Sequence, residues 1–140
     1  AIRCHPLHPL GWLVRARFHL LMHGASDTAL SDIRHTYKLA PRETWVMKIR
    51  AGILVSMRSS LGSTDRDHLI RDIVGLIDAG AHQAAIHIVR NTEREFQHDI
   101  AARVAALPFQ TQRYYESAAL QVGIDVSKLS IPRAASDGNR

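Results

Sequence analysis

The sequence predicts an all-α fold, an irregular stack of about seven helices arranged as antiparallel helical hairpins. Three observations carry this expectation. The stretch His19–Pro41 (HLLMHGASDTALSDIRHTYKLAP) reads as the end of one helix, a turn at Gly24, a second helix and a stop at Pro41. A glycine can take the left-handed conformation that closes a helix, and a proline cannot continue one. The pattern returns 56 residues later, where LIDAGAHQAAIHIV aligns without a gap on LLMHGASDTALSDI. Leu20 then falls on Leu76, Gly24 on Gly80, Ala29 on Ala85, Leu30 on Ile86 and Ile33 on Val89. Composition agrees: aromatics make up only 6% while Ala, Leu, Ile and Arg are common, which favours helices over β-structure.

Residues 1–9 (AIRCHPLHP) hold two prolines and no helical period, and are expected to form an extended lead-in. The prolines deny His5 and His8 a shared helical turn, so no metal site is expected there. A first helix is expected over residues 10–23, with Leu13, Ala16 and Leu20 on its buried face. Trp12, Phe18 and Leu21 are expected to widen that face, and Arg15 and Arg17 to point outward. Ser26 or Asp27 caps a second helix ending near Leu39. Its inward residues are Ala29, Leu30, Ile33 and Tyr37, and its outward ones Ser31, Asp32, Arg34 and Lys38.

A third helix, residues 43–61, is apolar almost all round, so it is expected to be the central element, with Trp45 in the core. The fourth (65–79) turns Leu69, Ile73, Leu76 and Ile77 inward, and the fifth (82–90) Ala85, Ile86 and Val89. Asn91 is expected to cap a sixth helix over 92–107, with Thr92 and Glu95 as a capping box. Pro108 breaks the chain before a seventh helix, 110–122, with Tyr114, Ala118 and Val122 inward. Residues 124–140 are expected to fray as a flexible tail. The result is a single helical domain over 10–123.

A chain of 140 residues can bury about two-thirds of its unfolded surface without a staple. The single cysteine, Cys4, excludes an intramolecular disulfide. No run of about 18 apolar residues is present, so no membrane span is expected in this chain. The chain begins at Ala1 rather than Met, as a processed or excised piece would, and an upstream anchor is compatible with that. The net charge of +5 is spread among acidic neighbours. Arg15, Arg17, Lys48, Arg50 and Arg58 lack interleaved exposed aromatics, so nucleic acid is not the expected partner.

No nucleophile elbow, phosphate loop, HExxH or cysteine pair occurs, so no catalytic residue, no enzyme activity and no cofactor are expected. His19 and His23 are spaced i, i+4 and would need a third ligand such as His35 or Asp27 to hold zinc. They are read as boundary histidines, with no metal. Asp65, Asp67 and Asp72 are read as helix-dipole partners and surface charges.

The five residues from Gly24 to Ala29 and the twelve from Ala29 to Pro41 match the spacing inside a tetratricopeptide (TPR) hairpin. The 56-residue offset is not the regular 34 of that repeat, so the stack is TPR-like and irregular. Such stacks hold partner segments against a wall of helix side chains. The expected function is therefore a non-enzymatic scaffold binding a protein partner, with Trp12, Arg15, His19, Asp67, Ile70 and Arg71 as binding residues.

The order of Trp12, Gly24, Ala29, Leu39, Pro41, Trp45 and Arg50 within Pro9–Leu61, echoed more weakly over 65–90, resembles the TPR-like region of bacterial exopolysaccharide and O-antigen assembly proteins of the VpsP type. The resemblance implies a role in cell-surface polysaccharide biosynthesis and a periplasmic or inner-membrane-associated location. An alternative is a ligand- or metal-sensing all-α effector domain of a bacterial transcription regulator, with His19, His23 and His35 as candidate ligands. The sequence does not fix the oligomeric state.

Overall fold

The computed structural model describes residues 7–129. Among these the chain forms α1 (Pro9–His23), α2 (Asp27–Leu39), α3 (Thr44–Ser56), α4 (Ser63–Asp78), α5 (His82–Val89), α6 (Arg94–Val104), α7 (Phe109–Gln121) and α8 (Val126–Leu129), with no strand. The all-α expectation holds. Most of the expected lead-in, including Cys4 and His5, lies outside the described residues, as does the tail beyond residue 129.

Local chemistry sets most helix ends. Pro9 opens α1 instead of ending the lead-in, because its missing N–H has no intrahelical partner there, and His8 Nδ1 accepts the Leu10 amide at 3.2 Å. Ser26 Oγ accepts the Ala29 amide and caps α2. Gly24 and Gly80 both take positive φ, at 70° and 82°. They close their helices differently. Gly24 donates once, to Leu20, whereas the Gly80 turn donates twice, Gly80 to Ile77 and Ala81 to Leu76.

Two expected ends are corrected. α3 stops at Ser56 and tightens into a 3₁₀ turn at Arg58–Ser60. α6 begins at Arg94, and no capping box forms. Thr92 Oγ1 instead donates to the Val89 carbonyl at 2.6 Å, and Gln97 donates to Val89 and Thr92. The threonine meant to start α6 finishes α5.

The helices pack as two interleaved rows. α1 lies on α2 and α3 on α4, while α1, α3, α5 and α7 touch in series, as do α4, α6 and α8. Side chains join α2 to α4. Arg34 donates to Asp65 at 2.6 and 3.0 Å, and the Tyr37 hydroxyl to Asp72 at 2.8 Å. The central element is α4 rather than α3, since α4 meets α3, α5, α6 and α7. Its Leu69, Ile70, Ile73, Leu76 and Ile77 are all buried. Both copies of the repeated segment span a turn between two helices that touch, α1 with α2 and, less closely, α4 with α5.

Burial departs from the helical-wheel reading in both directions. Phe18, Leu21, Trp45 and Tyr114 are exposed, whereas Asp32, Asp65 and Asp72 are buried. Tyr115 takes the inward place expected for Tyr114 and Ala119 joins it, while Ala118 stays inward as expected and Val122 is exposed. Residues 124–129 do not fray, since Ile124, Val126 and Leu129 bury against the core and α8 packs on α6 and α7.

The Arg34–Asp65 pair yields a pH test. Arg34's hydrogen bonds hold the Asp65 carboxyl below the usual carboxylate range. A depressed folded-state pKa gives stability that is complete above the unfolded value, near 4, and lost as pH falls through the folded value. Asp65→Asn is therefore expected to cost about 1 kcal/mol at pH 7, since half of Arg34 faces water, and almost nothing at pH 2. Urea unfolding at the two pH values measures this.

Candidate functional site

The expected binding residues do not converge. Trp12, Arg15 and His19 lie at the seam between α1 and α2. The Trp12 ring packs 4.2 Å from the His35 ring, and the Arg15 guanidinium sits 4.5 Å from the Trp12 centroid. Arg15 Nε donates to Asp32 at 2.8 Å, and His19 Nε2 stands 4.0 Å from the same carboxylate. This seam closes on the buried Asp32, which had been expected to face water. Asp67 and Arg71 lie on α4. Arg103 of α6 donates to Asp67, and Arg71 Nε lies 3.1 Å from it. The bond from Arg103 is the main force holding the Asp67 carboxyl below its usual range. Ile70 is 5% exposed and belongs to the core, so it cannot meet a partner.

A second arrangement was not anticipated. Among the described residues, every exposed large apolar side chain lies on an odd-numbered helix or directly beside one. Leu7, Leu10, Val14, Phe18, Leu21 and Met22 belong to α1, Trp45 and Ile49 to α3, and Phe109, Tyr114, Leu120 and Val122 to α7, at 36–75% exposure. On α1 the side chains at 10, 14, 18 and 22 recur every fourth residue with Leu21 beside them, one stripe about 18 Å long. Leu13 and Ala16 bury on another side of the same helix. Thus α1 is apolar on the face it packs and on the face it shows to solvent. At its start, the His8 ring lies 6.3 Å from Trp45 of α3, which carries the surface to the next odd helix. Trp45 is not core; its indole N–H donates to Glu43 at 3.0 Å.

The even row carries charge instead. Besides Arg34–Asp65, Arg66 of α4 pairs with Asp99 of α6 at 2.9 Å, and Arg103 of α6 with Asp67 of α4.

Beneath these pairs lies the polar centre of the molecule. Arg50 is 0% exposed, although its sequence position had placed it among surface cations. It donates to Asp72 at 2.6 and 2.7 Å and to the carbonyls of Ala40 and Pro41 at 3.3 Å. Its guanidinium carbon stands 3.6 Å from the Tyr37 centroid, and the His68 ring packs on the same tyrosine at 4.4 Å. Burial pushes the Tyr37 phenol far up, and it pushes the Asp72 carboxyl up against the pull of Arg50. The cluster ties the end of α2 to α3 and α4, so it organises the scaffold. A lone arginine inside the nearly all-apolar α3 was its sequence signal.

A cleft of about 740 Å³ opens over this cluster, between α2, α4 and α6. Among the described residues, no group of three or more His, Cys, Asp or Glu side chains is placed to hold a metal ion. No described helix is long and apolar enough to cross a membrane. No protein-family model, curated protein or solved structure matches this chain.

Proposed function

We propose that this protein is a non-enzymatic, TPR-like scaffold that docks a protein partner on its odd-helix row. One observation carries the reading: among the described residues, the exposed large apolar side chains are confined to that row, while the even row is laced with ion pairs. Scattered apolar residues on a surface need no explanation, but a contiguous stripe does. The α1 stripe offers Leu, Phe and Met at helical spacing, which an amphipathic partner helix can bury in the same register. Met22 adds a flexible side chain that adapts to the partner's shape. Burying Leu21 alone would contribute about 1.5–3 kcal/mol to such a complex.

The partner would belong to bacterial cell-surface polysaccharide assembly, at the periplasmic side of the inner membrane. The resemblance over Pro9–Leu61 supports that assignment. The rival sensor reading draws less support, because the His35 ring is engaged by Trp12 rather than gathered with His19 and His23.

The test pairs two charge insertions. Phe18→Glu with Leu21→Glu places carboxylates on the α1 stripe. Ser31→Glu with Lys38→Glu places them on exposed positions of α2. Both proteins should keep their helical circular dichroism. The α1 variant should lose a stoichiometric co-purifying partner that the α2 variant keeps. Retention of the partner by both variants would sink the reading.

A further inference from the structure

We propose that the cleft between α2, α4 and α6 is a binding site for an organic anion, which places a carboxylate or phosphate group at Arg42, Arg71 and Arg103 and an apolar body over Met47. The site lies against the even row and does not rest on the docking reading above.

The floor is built by α4. His68, Arg71, Asp72, Gly75 and Asp78 follow at i, i+3, i+4, i+7 and i+10, one stripe about 15 Å long. Gly75 keeps that floor open. A Cβ there would lie 2.8 Å from Met47 Sδ, so the missing side chain lets the thioether of α3 form the base of the cleft. The half-buried Val74 and Leu107 add apolar surface beside it. The volume of about 740 Å³ falls within the range that holds a small organic molecule.

The rim is cationic. Arg42, Arg71 and Arg103 line it from the α2–α3 connection, α4 and α6. Asp67 is shared between Arg71 and Arg103, so one carboxylate serves two guanidiniums. Arg42 enters no ion pair with a described residue. Asp72 is already neutralised by Arg50, which leaves Asp67 and Asp78 as the carboxylates facing these three cations. The surplus favours an anion, and guanidinium groups match the oxygens of carboxylate and phosphate in pairs. His68 lines the cleft beside Arg71, with its ring packed on Tyr37 at 4.4 Å.

The experiment is a ¹H–¹⁵N NMR titration of the whole chain with phenyl phosphate, phenylacetate, benzyl alcohol and inorganic phosphate. The proposal expects saturable shifts at the amides of residues 68–79 and 103 with at least one aromatic anion, at a Kd of about 1 mM or tighter. The tighter of the two anions tells phosphate from carboxylate. Arg42→Gln should weaken binding about tenfold or more, as loss of a hydrogen bond to a charged group does. Gly75→Leu, which fills the floor, should abolish binding while circular dichroism keeps its helical form. Four results would overturn the proposal: no shift with either aromatic anion, equal binding of benzyl alcohol, equal binding of inorganic phosphate as an adventitious ion only, or undiminished binding by Arg42→Gln.

Discussion

Replacing Arg50 by methionine is expected to cost about 3–5 kcal/mol of folding stability. The arginine is fully buried, and its partner Asp72 is 2% exposed. Removing one member leaves a carboxylate in a place where burial already pushes its pKa up. The carbonyls of Ala40 and Pro41 lose a donor in the same step. The sign of the pH dependence follows. Without Arg50, Asp72 binds a proton more readily folded than unfolded, so lowering the pH stabilises the variant relative to wild type. The deficit should be largest at pH 7 and should shrink as pH falls toward the ordinary aspartate value, near 4. The double variant Arg50→Met with Asp72→Leu removes both charges and should be more stable than Arg50→Met alone by about 1–3 kcal/mol. Urea unfolding across pH measures all three effects. A cost below about 1 kcal/mol for Arg50→Met would mean that the pair does not hold α2, α3 and α4 together.

Replacing Ile124, Val126 and Leu129 together by alanine is expected to cost about 4–6 kcal/mol, at roughly 1.5–2 kcal/mol for each buried apolar side chain. These residues are 6–7% exposed, and they fasten α8 to α6 and α7. The loss should appear as a fall in Tm of about 12–18 °C for a domain of this size. Hydrogen exchange should quicken along α6, whose partner is removed. A Tm within about 3 °C of wild type would restore the expectation that the chain frays after Gly123.

What was legible in the sequence was local. Ser26, Gly24, Gly80 and the prolines fix helix ends through bonds and backbone geometry that span a few residues, and those ends were read closely. What failed depends on partners far along the chain. Asp65 and Asp72 read as surface charges because their arginines lie 31 and 22 residues away. A sign was present: Asp65, Leu69, Asp72, Ile73 and Leu76 share one stripe of α4, so the aspartates sit at core positions. Phe18 and Leu21 failed the other way. An apolar residue on a helix reads as buried, yet α1 ends the odd row, where α3 is its one odd-numbered neighbour. In the tail, Ile124, Val126 and Leu129 carried a short apolar pattern that the polar residues after them obscured. The candidate site was least legible of all. The segregation of apolar surface to one row arises from which helices touch, which no local pattern reports.

The docking claim is tested most directly by photo-crosslinking in the producing cells, with a benzophenone amino acid placed at position 21 on α1 or at position 38 on α2. Both positions are solvent-exposed, so reach alone does not separate them. The account predicts a discrete protein adduct from position 21 and none from position 38. Adducts of the same mass from both positions, or from position 38 alone, would contradict it.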